Sequence, residues 1–192
     1  MGRVIVSEFV TLDGVMEDPG GAEGYDRGGW AFQFERGAEG DKFKLDEVME
    51  ADALLLGRVT YEGFAAAWPS RTDEAGFADK MNSMPKFVVS SSLGEPGWSN
   101  STVVRGNVPE EVAKLKEGGP GDLLVNGSRQ LVATLLEHDL VDELRLMVFP
   151  VLLGGGKRLF DGNPGGKAWQ LVESKSVGDG VLILVYRPAV EA

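Results

Sequence analysis

Apolar positions along the chain fall into short runs separated by polar and glycine-rich stretches, and the spacing within each run predicts its element. Val4, Val6, Phe9 and Val10 fit a first strand ending at Thr11-Leu12-Asp13-Gly14. Residues 15–30, rich in glycine and acidic side chains, read as a long mobile loop of the kind that forms lids. Its aromatic end, Tyr25 to Phe34, suits folding over a pocket. Phe43, Leu45, Val48 and Met49 among charges predict an amphipathic helix over 38–50. The run Ala53-Leu54-Leu55-Leu56 predicts a fully buried strand. A helix follows from near Thr60 to Pro69, and another over 73–82.

Lys86-Phe87-Val88-Val89 is a third strand and Thr102-Val103-Val104 a fourth. A short helix over 109–116 opens on proline and two glutamates, as a helix N-terminus prefers. Leu123-Leu124-Val125 is another buried strand, and the helix over 129–137 places Leu131, Leu135 and Leu136 on one face. Residues 143–149 form a strand, and 169–176 with 181–187 pair as a hairpin around Gly178-Asp179-Gly180. Strands alternating with helices predict an α/β fold: a mainly parallel sheet with helices on both faces, made mixed by the C-terminal β-hairpin.

Composition narrows the function. A chain of 192 residues, 43% apolar, suits a single domain over 1–192 with a sizeable core. A net charge of −11 repels nucleic acids and anionic lipid surfaces, so neither is an expected partner. A phosphorylated ligand would need locally placed donors. With no cysteine and one histidine, His138, thiol chemistry, metal sites and a Ser-His-Asp triad are not expected. His138 itself reads as a surface or helix-end residue. No targeting segment is visible, so the expected location is cytoplasmic.

Three strand-to-helix junctions share one design: an apolar strand ending in small or hydroxylic residues. They are Gly57-Arg58-Val59-Thr60, Ser90-Ser91-Ser92 and Asn126-Gly127-Ser128-Arg129. Open α/β sheets bind ligands beyond the carboxyl ends of their strands, where helix N-termini offer free amides to phosphates. Each junction alone is an ordinary turn or cap. Their repetition at one topological position points to a dinucleotide.

The ordered set formed by Leu54 to Glu62, Lys86 to Ser92 and Leu124 to Ser128 resembles the dihydrofolate-reductase fold, a three-layer sandwich. The nearer likeness is to the branch containing the riboflavin-biosynthesis reductase domain. Ser7 to Gly14 resembles that branch's opening strand and Ser-Leu-Asp-Gly turn, with Thr11 in the serine place. Phe149 to Phe160 resembles its late strand and glycine loop.

The resemblance implies NADPH as cofactor. Gly57, Arg58 and Thr60 would meet its phosphates, with Arg58 near the 2′-phosphate. Ser90 and Ser91 would line the adenosine end, and Asn126, Gly127, Ser128 and Arg129 would cradle the pyrophosphate. Thr11, Leu12 and Asp13 would lie beside the nicotinamide. Two carboxylates compete as the catalytic acid. Asp13 ends the first strand, where it is equally a turn residue before Gly14. Asp41 stands where dihydrofolate reductases keep their pterin-binding carboxylate, though it also reads as a solvated helix-face charge.

Gly154 to Gly156, followed by Lys157 and Arg158, reads as a phosphate loop, a strand-connecting bend or part of a dimer contact. The implied substrate is a small molecule of the aminouracil-ribose-phosphate kind, reduced by a stand-alone, homodimeric enzyme without the zinc-bearing deaminase domain. Dihydrofolate reduction and a non-catalytic nucleotide-binding role on the same scaffold are the alternatives.

Overall fold

The computed structural model describes residues 1–162 and 166–189. Eight strands form one sheet: β1 (Val4–Thr11), β2 (Ala53–Gly57), β3 (Lys86–Val89), β4 (Ser101–Val104), β5 (Leu123–Val125), β6 (Glu143–Phe149), β7 (Trp169–Val177) and β8 (Val181–Pro188). Their order across the sheet is β4-β3-β2-β5-β1-β6-β8-β7. The six strands from β4 to β6 are parallel, and the β7–β8 hairpin adds two antiparallel strands at one edge.

Helices cover both faces because the central strands are apolar on both sides. Helices α4 (Val108–Gly118) and α5 (Arg129–Glu137) bury Val112, Leu131 and Leu135 against Val4, Val6, Leu55 and Val125. On the other face, α1 (Gly37–Glu50), α2 (Arg58–Ala67) and α3 (Phe77–Ser83) bury Val48, Tyr61 and Met81 against Ile5, Leu54, Leu56 and Leu124. The architecture is the expected α/β sandwich with its mixed, hairpin-bearing edge.

The predicted loop after β1 is anchored at its aromatic end. Trp30 starts a 3-10 helix, Trp30–Gln33, and packs fully buried against Phe149, with ring centroids 5.4 Å apart. Asp18, itself buried, accepts from the Glu23 and Tyr25 amides and so closes the loop on itself. Tyr25 then donates to the Gly155 carbonyl at 2.7 Å.

Lys86 at the start of β3 is fully buried. Its ammonium donates to the carbonyls of Asn82, Met84 and Ser99 and lies 4.3 Å from the Trp98 ring. Burial pushes it down to about 8. One buried cation thereby fastens the α3–β3 connection to the segment that leads into β4. Among the described residues, no helix is long and apolar enough to cross a membrane.

Candidate active site

The three junctions of small residues converge because β2, β3 and β5 are parallel and end at the same side of the sheet. They line a cavity of about 270 Å³ that includes Gly57, Arg58, Ser90, Ser91, Ser128 and Thr134. Both flanking helices open without a side-chain cap: Gly57 precedes α2 and Ser128 precedes α5. Their first-turn amides are therefore available to an anion.

Glycine is required at two of these turns. A Cβ on Gly57 would collide with the Ser128 side chain, so β2 and the start of α5 approach only because that side chain is missing. Gly127 has φ of 86°, and a Cβ there would fall 2.9 Å from Thr60 Oγ1. The Gly57 amide donates to the Gly127 carbonyl at 3.3 Å, which joins the two turns. These features fit the phosphate-bearing part of a dinucleotide: close backbone approach, free amides and hydroxyls.

Three arginines stand at or beside these turns, two of them paired with carboxylates. Arg58 is half-exposed and paired with Glu62 at 2.9 Å, a contact that a phosphate can exchange for itself. Arg129 pairs with Asp161 at 3.0 Å. Arg105, which the sequence reading passed over, donates to the carbonyls of Ser91 and Leu93 and braces the serine loop from below. Ser90 Oγ accepts from the Ser92 and Leu93 amides, so this serine shapes the loop.

At the end of β1, Thr11 is buried and Leu12 exposed. Asp13 accepts from Thr11 Oγ1 at 2.6 Å and from the Leu153 and Gly154 amides at 3.2 and 2.8 Å. The Thr11 hydroxyl and these amides hold its carboxyl down at about 2. An ionised acceptor with its lone pairs in use is a poor proton donor. Asp13 here pins the glycine loop after β6 to the end of β1 by engaging that loop's Leu153 and Gly154 amides.

Asp41 does not enter the cleft. Its side chain is 65% exposed and pairs with Arg36 at 2.9 Å. Gly40, Glu47 and Val48 are the buried positions of α1; Asp41 lies two turns before Val48, and its side chain stays in solvent. The buried carboxylate of that helix is Glu47, which accepts from Ser7 Oγ at 2.8 Å, pairs with Lys44 and lies 3.9 Å from Arg145. The carboxylate expected of a pterin site is thus missing at Asp41.

A second carboxylate on β1 was not read from the sequence. Pairing between β1 and β5 stops at Val6↔Val125, while β1 continues beside β6 to Thr11↔Phe149. The turn from Asn126 fills the gap, and Asn126 Nδ2 donates to the Ser7 carbonyl at 3.0 Å. Glu8 stands at this split, 7% exposed, with Oε1 fully buried and without a hydrogen-bond partner in the described structure. Burial raises its carboxyl to about 8, against the opposing pull of the Gly127 amide. A strand covered on both faces that carries Glu between Val6 and Val10 was the available signal.

Among the described residues, no group of His, Asp or Glu is placed to hold a metal ion. A larger groove of about 500 Å³ lies beside edge strand β4, lined by Phe87, Thr102, Val104, Arg105 and Leu115.

Comparison with known proteins agrees with this architecture. The family profile described as "RibD C-terminal domain" matches residues 3–183. The uncharacterized protein YyaP of Bacillus subtilis (strain 168) is 29% identical over 187 residues, covering 96% of this chain and 94% of its own. The "putative riboflavin biosynthesis protein" of Shewanella sp. PV-4 superposes with a TM-score of 0.78 at 25% identity, covering 98% of this chain and 99% of that one. RibD of Acinetobacter baumannii shares the fold, with a TM-score of 0.70 at 15% identity, and this chain covers 58% of it. The profile match spans nearly the whole sequence, and on that evidence the chain belongs to the RibD C-terminal domain family.

Proposed function

We propose that this protein is an NADPH-dependent reductase acting on a small heterocyclic or ribosyl substrate of the aminouracil-ribose-phosphate kind. The observation that carries the reading is the convergence of three glycine- and serine-bearing strand ends, with two uncapped helix N-termini, on one cleft. Membership of the RibD C-terminal domain family supports the reductase class.

Bound in that cleft, NADPH would supply the hydride. The chain's own residues would do the rest. Gly57 and Gly127 keep side-chain volume out of the phosphate path, and the free amides of α2 and α5 take the phosphate charge. Arg58 would exchange Glu62 for the 2′-phosphate, since a guanidinium pairs with that dianion in two parallel hydrogen bonds. Thr60, Ser128 and Arg129 complete the pyrophosphate cradle, with Asn126 setting the turn. Ser90 and Ser91 bound the adenosine end. Thr11 and Leu12 line the nicotinamide end, while Asp13 fixes the turn that shapes it.

Dihydrofolate is the weaker substrate reading, because the exposed, Arg36-paired Asp41 offers a pterin no buried carboxylate. A cytoplasmic homodimer completes the proposal. Its test follows NADPH oxidation by absorbance with the ribosylated aminouracil phosphate and, separately, with dihydrofolate. Turnover with the former and none with the latter supports the reading; no turnover with the aminouracil phosphate removes that substrate class.

A further inference from the structure

We propose that Glu8 is a positioning donor for the ligand's nicotinamide end: its carboxyl O–H is offered to the carboxamide oxygen of a nicotinamide ring seated against the Asn126-Gly127 turn. This rests on the dinucleotide reading above and adds to it a residue and a proton.

The argument starts from the sheet. Beyond Val6 the edge of β1 facing β5 has no strand partner, and only the Asn126-Gly127 turn covers it. Side chains alternate along a strand, so Glu8 shares the face of Val4, Val6 and Val10, where a carboxyl has only apolar neighbours on its own strand. Buried polar atoms in folded proteins are paired almost without exception. Glu8 Oε1 is an exception, and it lies beside the Gly127 turn that joins the phosphate cradle. A group arriving at that turn is the partner such an atom lacks.

The charge that Glu8 carries decides which partner fits. Three charged groups act on it: Lys44 and Glu47 of α1, and Glu23 of the loop after β1. Lys44 is already committed to Glu47 and to Ser7 Oγ, so it does not neutralise Glu8 by direct pairing. Glu47 and Glu23 both oppose a second negative charge. Glu8 therefore keeps its proton at neutral pH and is a hydrogen-bond donor. It would repel a phosphate or carboxylate only after ionising, and it matches a neutral carbonyl oxygen.

The experiment is calorimetric titration of the full chain with NADPH at pH 7 and pH 9, in buffers of differing ionisation enthalpy. If the ligand needs the Glu8 proton, wild-type affinity falls about tenfold from pH 7 to pH 9, and binding at pH 9 takes up close to one proton. Glu8→Gln, whose amide keeps a donor in place, binds within about threefold of wild type at pH 7 and loses both effects. Glu8→Leu binds about tenfold more weakly at pH 7. The adenosine half of the dinucleotide, which lacks the nicotinamide ring, binds wild type with no proton uptake.

NADPH binding that is level across pH overturns the assignment to Glu8 and leaves the dinucleotide reading standing. So does proton uptake that persists in Glu8→Gln. Uptake with the adenosine half as well overturns the choice of the carboxamide as acceptor. No NADPH binding at either pH overturns the dinucleotide reading and this assignment together. Circular dichroism and urea unfolding of both variants report whether the fold survives, and Glu8→Gln carries the test if Glu8→Leu does not fold.

Discussion

Replacing Asp13 with asparagine separates a turn-holding carboxylate from a catalytic acid. In the wild type, Oδ1 accepts from Thr11 Oγ1 and the Leu153 amide, and Oδ2 accepts from the Gly154 amide at 2.8 Å. Asparagine keeps one acceptor and turns the other into a donor facing a donor. Lowering a carboxylate from 3.8 to about 2 corresponds to about 2.5 kcal/mol in full. Solvent on the open side of the turn screens this to about 1–2 kcal/mol.

The folded-state value is depressed, so the stabilisation is present above the unfolded value near 3.8 and is lost as pH falls toward 2. Urea unfolding at pH 7 should show Asp13→Asn less stable by about 1–2 kcal/mol, a fall in Tm of about 3–6 °C. Near pH 3 the gap should shrink to about half. A variant within about 0.5 kcal/mol of wild type at pH 7 would refute the pinning role and return Asp13 to the list of candidate acids.

Two further substitutions probe the cradle and the scaffold. Gly57→Ala drives a Cβ into Ser128, so NADPH affinity measured by fluorescence titration should fall more than about tenfold, with about 1–3 kcal/mol of stability lost to strain. Lys86 sits near 8 when folded and at 10.5 when unfolded, so the unfolded chain binds more protons between those values. Wild-type stability should therefore rise by about 1–3 kcal/mol relative to Lys86→Met across about pH 8 to 10.5, read from denaturant midpoints.

The elements that were legible residue by residue were those with uniform apolar runs and clear stops. β3, β5, α5 and β6 fall where the pattern put them, because each is bounded by polar residues or proline. Helix α2 begins at Arg58, two residues before Thr60, since Gly57 takes the extended conformation that ends a strand and starts a helix at once. Helix α3 begins at Phe77 because the Asp73 carboxylate accepts the Phe77 and Ala78 amides from outside the helix. The Trp30–Gln33 turn was read as loop, since only the tertiary pocket around Phe149 makes it fold.

At the site, the junctions were visible because glycine and serine at strand ends are local signals. The carboxylates were not, because burial is a tertiary property. Asp41 and Glu47 lie on one helix, and only docking of α1 on β1 decides which of them is covered. Glu8 sits in the apolar phase of β1 with Val4, Val6 and Val10, and only the packing of the elements around that strand shows that its carboxyl is covered.

The central claim is that the cleft between α2 and α5 holds NADPH, and thermal unfolding of the full chain with NADPH or NADH tests it most directly. At a hundredfold excess over Kd, NADPH should stabilise the fold by about 2.7 kcal/mol. NADH at the same concentration should give a smaller shift, and Arg58→Ala should narrow the difference between the two. No shift with NADPH, at concentrations where nicotinamide reductases are saturated, would contradict the account.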